Sequence, residues 1–191
     1  MNICVYGAAS KEIDKLFIHA GEELGAMLAA RGHTLVFGGG AHGMMGALAR
    51  GADSKNGSIV SVAPSFFDVD GVLYEWCSEY VYTNTMRERK QIMEDRSDGF
   101  IVSPGGIGTF EEFFEIFTLR QLDRHRKPIA VYNIDGYYDP MLTMLENAVD
   151  RGFMNGGNLG LFFVSDRAEE ILDYIENPER AATDIRKLRN I

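Results

Sequence analysis

The chain has 191 residues, of which 46% are hydrophobic and 25% charged, and a formal net charge of −9. That length supports one domain with a sizeable core, and the acidic balance argues against non-specific binding to nucleic acid. No apolar run reaches the length that spans a bilayer, and Cys4 and Cys77 are too few for a disulfide framework.

The first ten residues, MNICVYGAAS, begin in strand-like sequence without a basic region and cleavage site, so a cytoplasmic location is expected. Strand, glycine loop and helix then alternate along the chain. Residues 2–6 read as a strand, followed by Gly7-Ala8-Ala9-Ser10 and a helix from about Lys11 to Arg31, stopped by Gly32. A strand at 33–37 runs into GGGAHGMMG and a helix to about Lys55. Residues 58–62 form a third strand, 65–79 look irregular, and Tyr80–Tyr82 add a short strand.

A helix from about Asn84 to Arg96 leads to a strand at 99–103 and a helix opened by Thr109. Strand 129–132, a helix from about Pro140 to Asp150, strand 161–164 and a last helix near 167–176 complete the pattern. Short apolar strands alternating with amphipathic helices imply an α/β fold, a doubly wound parallel sheet covered by helices on both faces. A single domain over 1–191 is expected, with its core at about 2–176 and a peripheral charged tail at 177–191. Ligands of such sheets bind beyond the carboxyl ends of the strands, where all three glycine loops lie.

The stretch 103–112, SPGGIGTFEE, carries the most chemistry. A glycine-rich loop feeding a helix N-terminus lets bare N–H groups converge on an anion, above all a phosphate. Glu111 and Glu112 sit beside that anion site, and a carboxylate there suggests chemistry on a phosphorylated ligand rather than simple holding. Thr109-Phe110-Glu111-Glu112 also fits a capping box, in which Glu112 would reach back to the Thr109 N–H. Phe110, Phe113, Phe114 and Phe117 form one apolar stripe directed at the core, with Glu111, Glu112 and Glu115 on the opposite side.

Other signals are weaker. Gly38-Gly39-Gly40-Ala41-His42-Gly43 matches GxGxxG but follows the second strand, and the third strand ends without the acidic residue a dinucleotide ribose requires. His42 reads as a loop residue. GxxxxGK[ST] is absent, and the four histidines are scattered, so no metal site is expected. Arg120, Arg124, Arg126 and Lys127 read as a solvated face or as local positive potential for a small anion. In TMRERKQIM, a 100° projection puts Arg89 between Ile92 and Met93 on the apolar side, while Arg87 points away. An arginine aimed inward, unless it snorkels, wants an anionic or planar partner.

MRERK at 86–90 followed by PGGIGTFEE at 104–112 resembles the paired signature of the Lonely guy family, the cytokinin riboside 5′-monophosphate phosphoribohydrolases. The flanks FGGGAHGMMGALA and KPIAVYNIDGYYDPML are similar too, so the resemblance covers roughly residues 2–176. It implies a Rossmann-like fold, a homodimer or multiple of dimers, no metal or other cofactor, and no nucleic-acid or membrane partner. The implied reaction is hydrolysis of the N-glycosidic bond of a nucleoside 5′-monophosphate to free base and ribose 5-phosphate.

By motif position Arg89 and Glu112 match the catalytic pair, and Lys90, Gly106, Gly108, Thr109 and Thr118 match substrate contacts. The loop Gly105, Gly106, Ile107, Gly108 and Thr109 would anchor the 5′-phosphate, with Glu111 alongside. Glu112 would serve the oxocarbenium-like centre, as carboxylates do in glycoside hydrolysis. Arg89 would neutralise either the departing base or the phosphate. Two positions depart from the usual forms: Arg87 stands where the family has His, and Gly7-Ala8-Ala9-Ser10 replaces a CGSS-like loop. Both bear on base preference. Family members have also been labelled lysine decarboxylases, but the sequence shows no lysine in a pyridoxal-binding context. The alternatives are a broad nucleoside 5′-monophosphate nucleosidase and a non-catalytic nucleotide carrier or sensor of the same fold.

Overall fold

The structure, a computed structural model, describes residues 1–177. Seven strands, β1 (Asn2–Tyr6), β2 (Thr34–Phe37), β3 (Ile59–Pro64), β4 (Glu79–Thr83), β5 (Gly99–Val102), β6 (Ile129–Tyr132) and β7 (Phe163–Ser165), form one sheet. All neighbouring strands pair in parallel, in the order β4-β3-β2-β1-β5-β6-β7. The central strands are continuous apolar runs such as GFIV and IAVY, buried along their whole length, because helices cover both faces.

Among the described residues six α-helices make those covers: α1 (Lys15–Ala30), α2 (Gly43–Asp53), α3 (Met86–Arg96), α4 (Ile107–Gln121), α5 (Asp139–Asp150) and α6 (Ala168–Glu176). Period-two alternation in β1 divides the core. Ile3 and Val5 face a layer with Leu24, Leu28, Met44, Leu48 and Ile171 from α1, α2 and α6. Cys4 and Tyr6 face the other layer, with Met93, Phe113, Phe117 and Leu145 from α3, α4 and α5. The aromatic stripe of α4 supplies that second layer, Phe113 and Phe117 buried and Phe110 and Phe114 packed at its margin.

Winding runs outward in both directions from the β1–β5 pair, so the switch point of the sheet lies between them. The loops leaving these two strands meet there, with Ala8 N–H donating to the Pro104 carbonyl at 3.1 Å.

Several boundaries differ from those read in the sequence. α1 starts at Lys15 rather than Lys11, because the Asp14 carboxylate caps it by accepting from Leu16 N–H at 2.8 Å. β7 spans Phe163–Ser165 rather than 161–164, since Gly156–Leu161 winds as a 3-10 turn. Segment 65–79 is a short 3-10 turn followed by largely irregular chain, as expected. Arg120 is not on a solvated face: it is fully buried and donates to the Lys127 carbonyl. The expected charged tail lies, beyond Asn177, outside the described residues.

Candidate active site

A cavity of about 390 Å³ opens at the carboxyl ends of the strands beside the switch point. The loop after β1 forms one side and the start of α4 another, while Gly38, Met45, Phe67 and Met86 supply a largely apolar wall. Gly106, Gly108, Thr109, Arg89 and Glu112 all line it.

Arg89 arrives on α3. That helix is capped by Thr85, whose hydroxyl accepts from Glu88 N–H at 3.1 Å, while the Glu88 carboxylate accepts from Asn84 N–H at 2.8 Å. One turn in, the Arg89 side chain is only 7% exposed, as the helical projection indicated. Its Nε donates to the Val62 carbonyl at 3.2 Å, and its Nη1 donates to Glu112 Oε1 at 2.7 Å. Arg87 is exposed.

Glu112 is equally enclosed, its side chain 9% exposed. Burial pushes its carboxyl above the ordinary value, and the Arg89 guanidinium opposes that rise by stabilising the anion. The capping box expected at Thr109 is not formed. α4 begins at Ile107 with Gly106 as its N-cap, so Thr109 already lies inside the first turn and Glu112 is free to pair with Arg89. The three acids therefore divide. Glu112 turns inward, whereas Glu111 and Glu115, both exposed, grip Lys90, with Glu115 Oε2 at 2.8 Å from Nζ.

No side chain caps the N-terminus of α4, and Gly106, Gly108 and Thr109 from that end line the cavity, which sets the positive end of the helix dipole beside it. The carbonyls of the same loop are held elsewhere. Tyr137 Oη donates to the Gly105 carbonyl at 2.6 Å, and Tyr138 Oη to the Ser103 carbonyl at 2.7 Å. Ser103 Oγ in turn donates to the Tyr6 carbonyl at 2.6 Å. Sequence reasoning passed over these two tyrosines; their only signal was the adjacent pair in the GYYD run after β6.

The remaining sequence-derived candidates scatter. Gly105 lines a smaller adjoining recess with Gly106, and Ile107 is 81% exposed. Lys90 and Glu111 tie α3 to α4 outside the cavity lining. Thr118 is exposed, about 9 Å beyond Glu112 along the helix at 1.5 Å per residue. Among the described residues no group of three or more His, Cys, Asp or Glu is placed to hold a metal ion, and no helix is long and apolar enough to cross a membrane.

The arrangement combines an uncapped helix N-terminus, a buried carboxylate and a buried guanidinium around one cavity. Those are the parts needed to hold a phosphate, stabilise a developing cation and neutralise a leaving anion.

The sequence matches a family model described as "Possible lysine decarboxylase" over residues 45–175. A cytokinin riboside 5′-monophosphate phosphoribohydrolase of Mycobacterium tuberculosis is 39% identical over 170 residues, covering 89% of this chain and 90% of that protein. A cytokinin riboside 5′-monophosphate phosphoribohydrolase of Arabidopsis thaliana is 33% identical over 174 residues, covering 91% of this chain and 82% of that one. Among solved structures, a molybdenum cofactor carrier protein from Chlamydomonas reinhardtii has a TM-score of 0.70 at 19% identity, covering 95% of this chain and 98% of that chain. The last is a likeness of fold alone.

Proposed function

We propose that this chain, which belongs to the Lonely guy family, hydrolyses the N-glycosidic bond of an adenosine 5′-monophosphate, N6-modified as in a cytokinin nucleotide, to free base and ribose 5-phosphate. The observation that carries the reading is the buried Arg89–Glu112 pair set beside the uncapped N-terminus of α4. The 5′-phosphate takes the N–H groups of the loop, and its binding energy orients the ribose against the pair.

As the bond from the anomeric carbon to the purine nitrogen breaks, its electron pair leaves with the base and positive charge builds on the sugar. Glu112 stabilises that charge and draws a proton from the incoming water, whose oxygen bonds to the anomeric carbon. The departing base takes up a proton from solvent and leaves neutral, and Glu112 returns the proton it took from water to solvent, which restores the carboxylate. Arg89 holds the Glu112 carboxylate in place and keeps positive charge at the cavity.

A non-catalytic carrier is the second reading, since structural neighbours with the same fold include a cofactor carrier. An anion carrier gains nothing from a carboxylate in its cavity, which favours the hydrolase. Lysine decarboxylation has less support, because no lysine lines the cavity and Lys90 is held by two glutamates.

The reading also includes a homodimer or multiple of dimers. Thr118 matches a substrate contact by motif yet lies outside its own chain's cavity, which suits a site completed by a second copy. Light scattering should give at least twice the 21.3 kDa chain mass, and a stable monomer would remove this part of the proposal. The hydrolase reading is tested by incubating the protein with AMP, N6-isopentenyl-AMP and other nucleoside monophosphates and assaying free base. Binding without release of base would favour the carrier.

A further inference from the structure

The guanidinium of Arg89 has two of its three nitrogens engaged, Nε by the Val62 carbonyl and Nη1 by Glu112. The third, Nη2, lies against the Cα of Gly38, the first residue after β2. A Cβ built on Gly38 would overlap Nη2, closer than real Cβ atoms approach any neighbour, and would stand 3.3 Å from Cζ and 3.2 Å from Met45 Sδ. Gly38 itself does not have the left-handed backbone that reserves a position for glycine; its neighbour Gly39, at φ 82°, does. The backbone at 38 would accept alanine, and what it would not accept is the arginine in its present place.

We propose that Gly38 is a positioning residue for Arg89: the missing side chain forms the floor on which the guanidinium rests. Three contacts then define the plane of that group, Val62 from β3, Glu112 from α4 and Gly38 from the loop after β2. Gly38 lines the cavity together with Arg89, and it also lines a second cavity that reaches Val72 and Leu73. Because the clash falls on the far end of a flexible side chain, Gly38→Ala is relieved by moving Arg89 and not by moving the sheet. The shift needed is roughly 1 Å, enough to restore ordinary contact. A displacement of that size breaks the alignment between Nη1 and Glu112.

The proposal rests on the hydrolase reading for its catalytic consequence, and its structural part is measurable without turnover. Glu112 is faced by Arg89 and Lys90 from α3 and Glu111 beside it on α4, with Cys4 and Tyr6 of β1 and Tyr138 before α5 also close. Moving Arg89 away removes the nearest cation, so the Glu112 carboxyl in the Gly38→Ala protein should titrate at higher pH than in the parent, as read by carbon-13 NMR of labelled glutamate.

Circular dichroism and melting should show a folded protein. With AMP as substrate, kcat should fall about 100-fold, the usual consequence of a misplacement near 1 Å, while KM changes little. In an Arg89→Lys background, where no second terminal nitrogen meets residue 38, adding Gly38→Ala should cost nothing further. Three results would overturn the proposal: a Gly38→Ala chain that does not fold, an unchanged Glu112 titration, or an equal loss with lysine at position 89. If neither parent nor variant releases base but the titration shifts as described, the hydrolase reading fails and the positioning role stands.

Discussion

Arg89 and Glu112, 23 residues apart and on different helices, meet through a 2.7 Å hydrogen bond with both side chains almost wholly buried. Taking two ions out of water costs several kcal/mol each, so such a pair is weak evidence for stability and stronger evidence for a task. The imbalance at Glu112, where burial raises the carboxyl pKa despite the adjacent guanidinium, is what a carboxylate poised to take up a proton requires.

In the proposed hydrolysis, that imbalance sets the acid limb of the rate. Glu112 must be ionised to stabilise an oxocarbenium-like centre. Its elevated pKa means that the neutral form persists above the ordinary carboxylate value of 4.5. kcat/KM for AMP should therefore decline as pH is lowered through a midpoint above 4.5, in a protein that remains folded. A rate flat down to that pH would place the titrating group elsewhere.

Removing one partner of the pair should cost more stability than its energy as a contact. Glu112→Ala leaves the Arg89 cation enclosed with only the Val62 carbonyl, and a loss of about 3 kcal/mol is expected from urea unfolding. A change below about 0.5 kcal/mol, the level of an ordinary surface substitution, would show that water reaches Arg89 freely.

The proposed anchoring of the 5′-phosphate makes a separable prediction. The N–H groups at the start of α4 have no counterpart in a plain nucleoside, and hydrogen bonds to charged groups contribute about 1.5–3 kcal/mol each. kcat/KM for AMP should exceed that for adenosine by at least about 100-fold. Equal rates would mean that the loop does not anchor the substrate.

His125 gives a pH dependence unrelated to catalysis. It is 8% exposed, its Nε2 donates to the Ile116 carbonyl at 2.9 Å, and its ring lies 5.5 Å from that of Phe100. Burial, with smaller contributions from Arg120 and Lys127, lowers its pKa from 6.5 to about 4. The folded state therefore binds fewer protons than the unfolded one between those values. Stability from this residue is complete above pH 6.5, declines as pH falls, and is fully lost below about 4. His125→Gln, whose amide still donates to Ile116, should flatten the fall in melting temperature over that range. An unchanged slope would assign the effect to other groups.

Much of this was legible in the sequence where the determining interactions are local. Helical projection placed Arg89 inward and Arg87 outward, because a 100° step needs no knowledge of the partner. Continuous apolar strands announced a parallel sheet covered on both faces, and the PGGIGT run announced a glycine loop that opens a helix. What was not legible depends on distant chain. The capping box at Thr109 failed because Gly106 starts α4 earlier and because Glu112 finds Arg89 instead. The clamps from Tyr137 and Tyr138 reach back 32 and 35 residues, and the contact of Gly38 with Arg89 crosses from one loop to another helix. No local pattern encodes such contacts.

The most direct measurement pairs turnover with binding in Glu112→Gln. The amide nearly preserves volume, and its oxygen can still accept from Arg89, so the fold should be retained. What is lost is the negative charge that the proposed mechanism sets against the anomeric carbon. Calorimetry should show a nucleoside monophosphate bound as tightly as by the parent or more tightly, since a repulsion with phosphate disappears. Release of free base should fall by at least about two orders of magnitude, comparable to loss of one preorganised electrostatic group. Near-normal turnover in a folded Glu112→Gln protein would contradict the catalytic role of the buried pair.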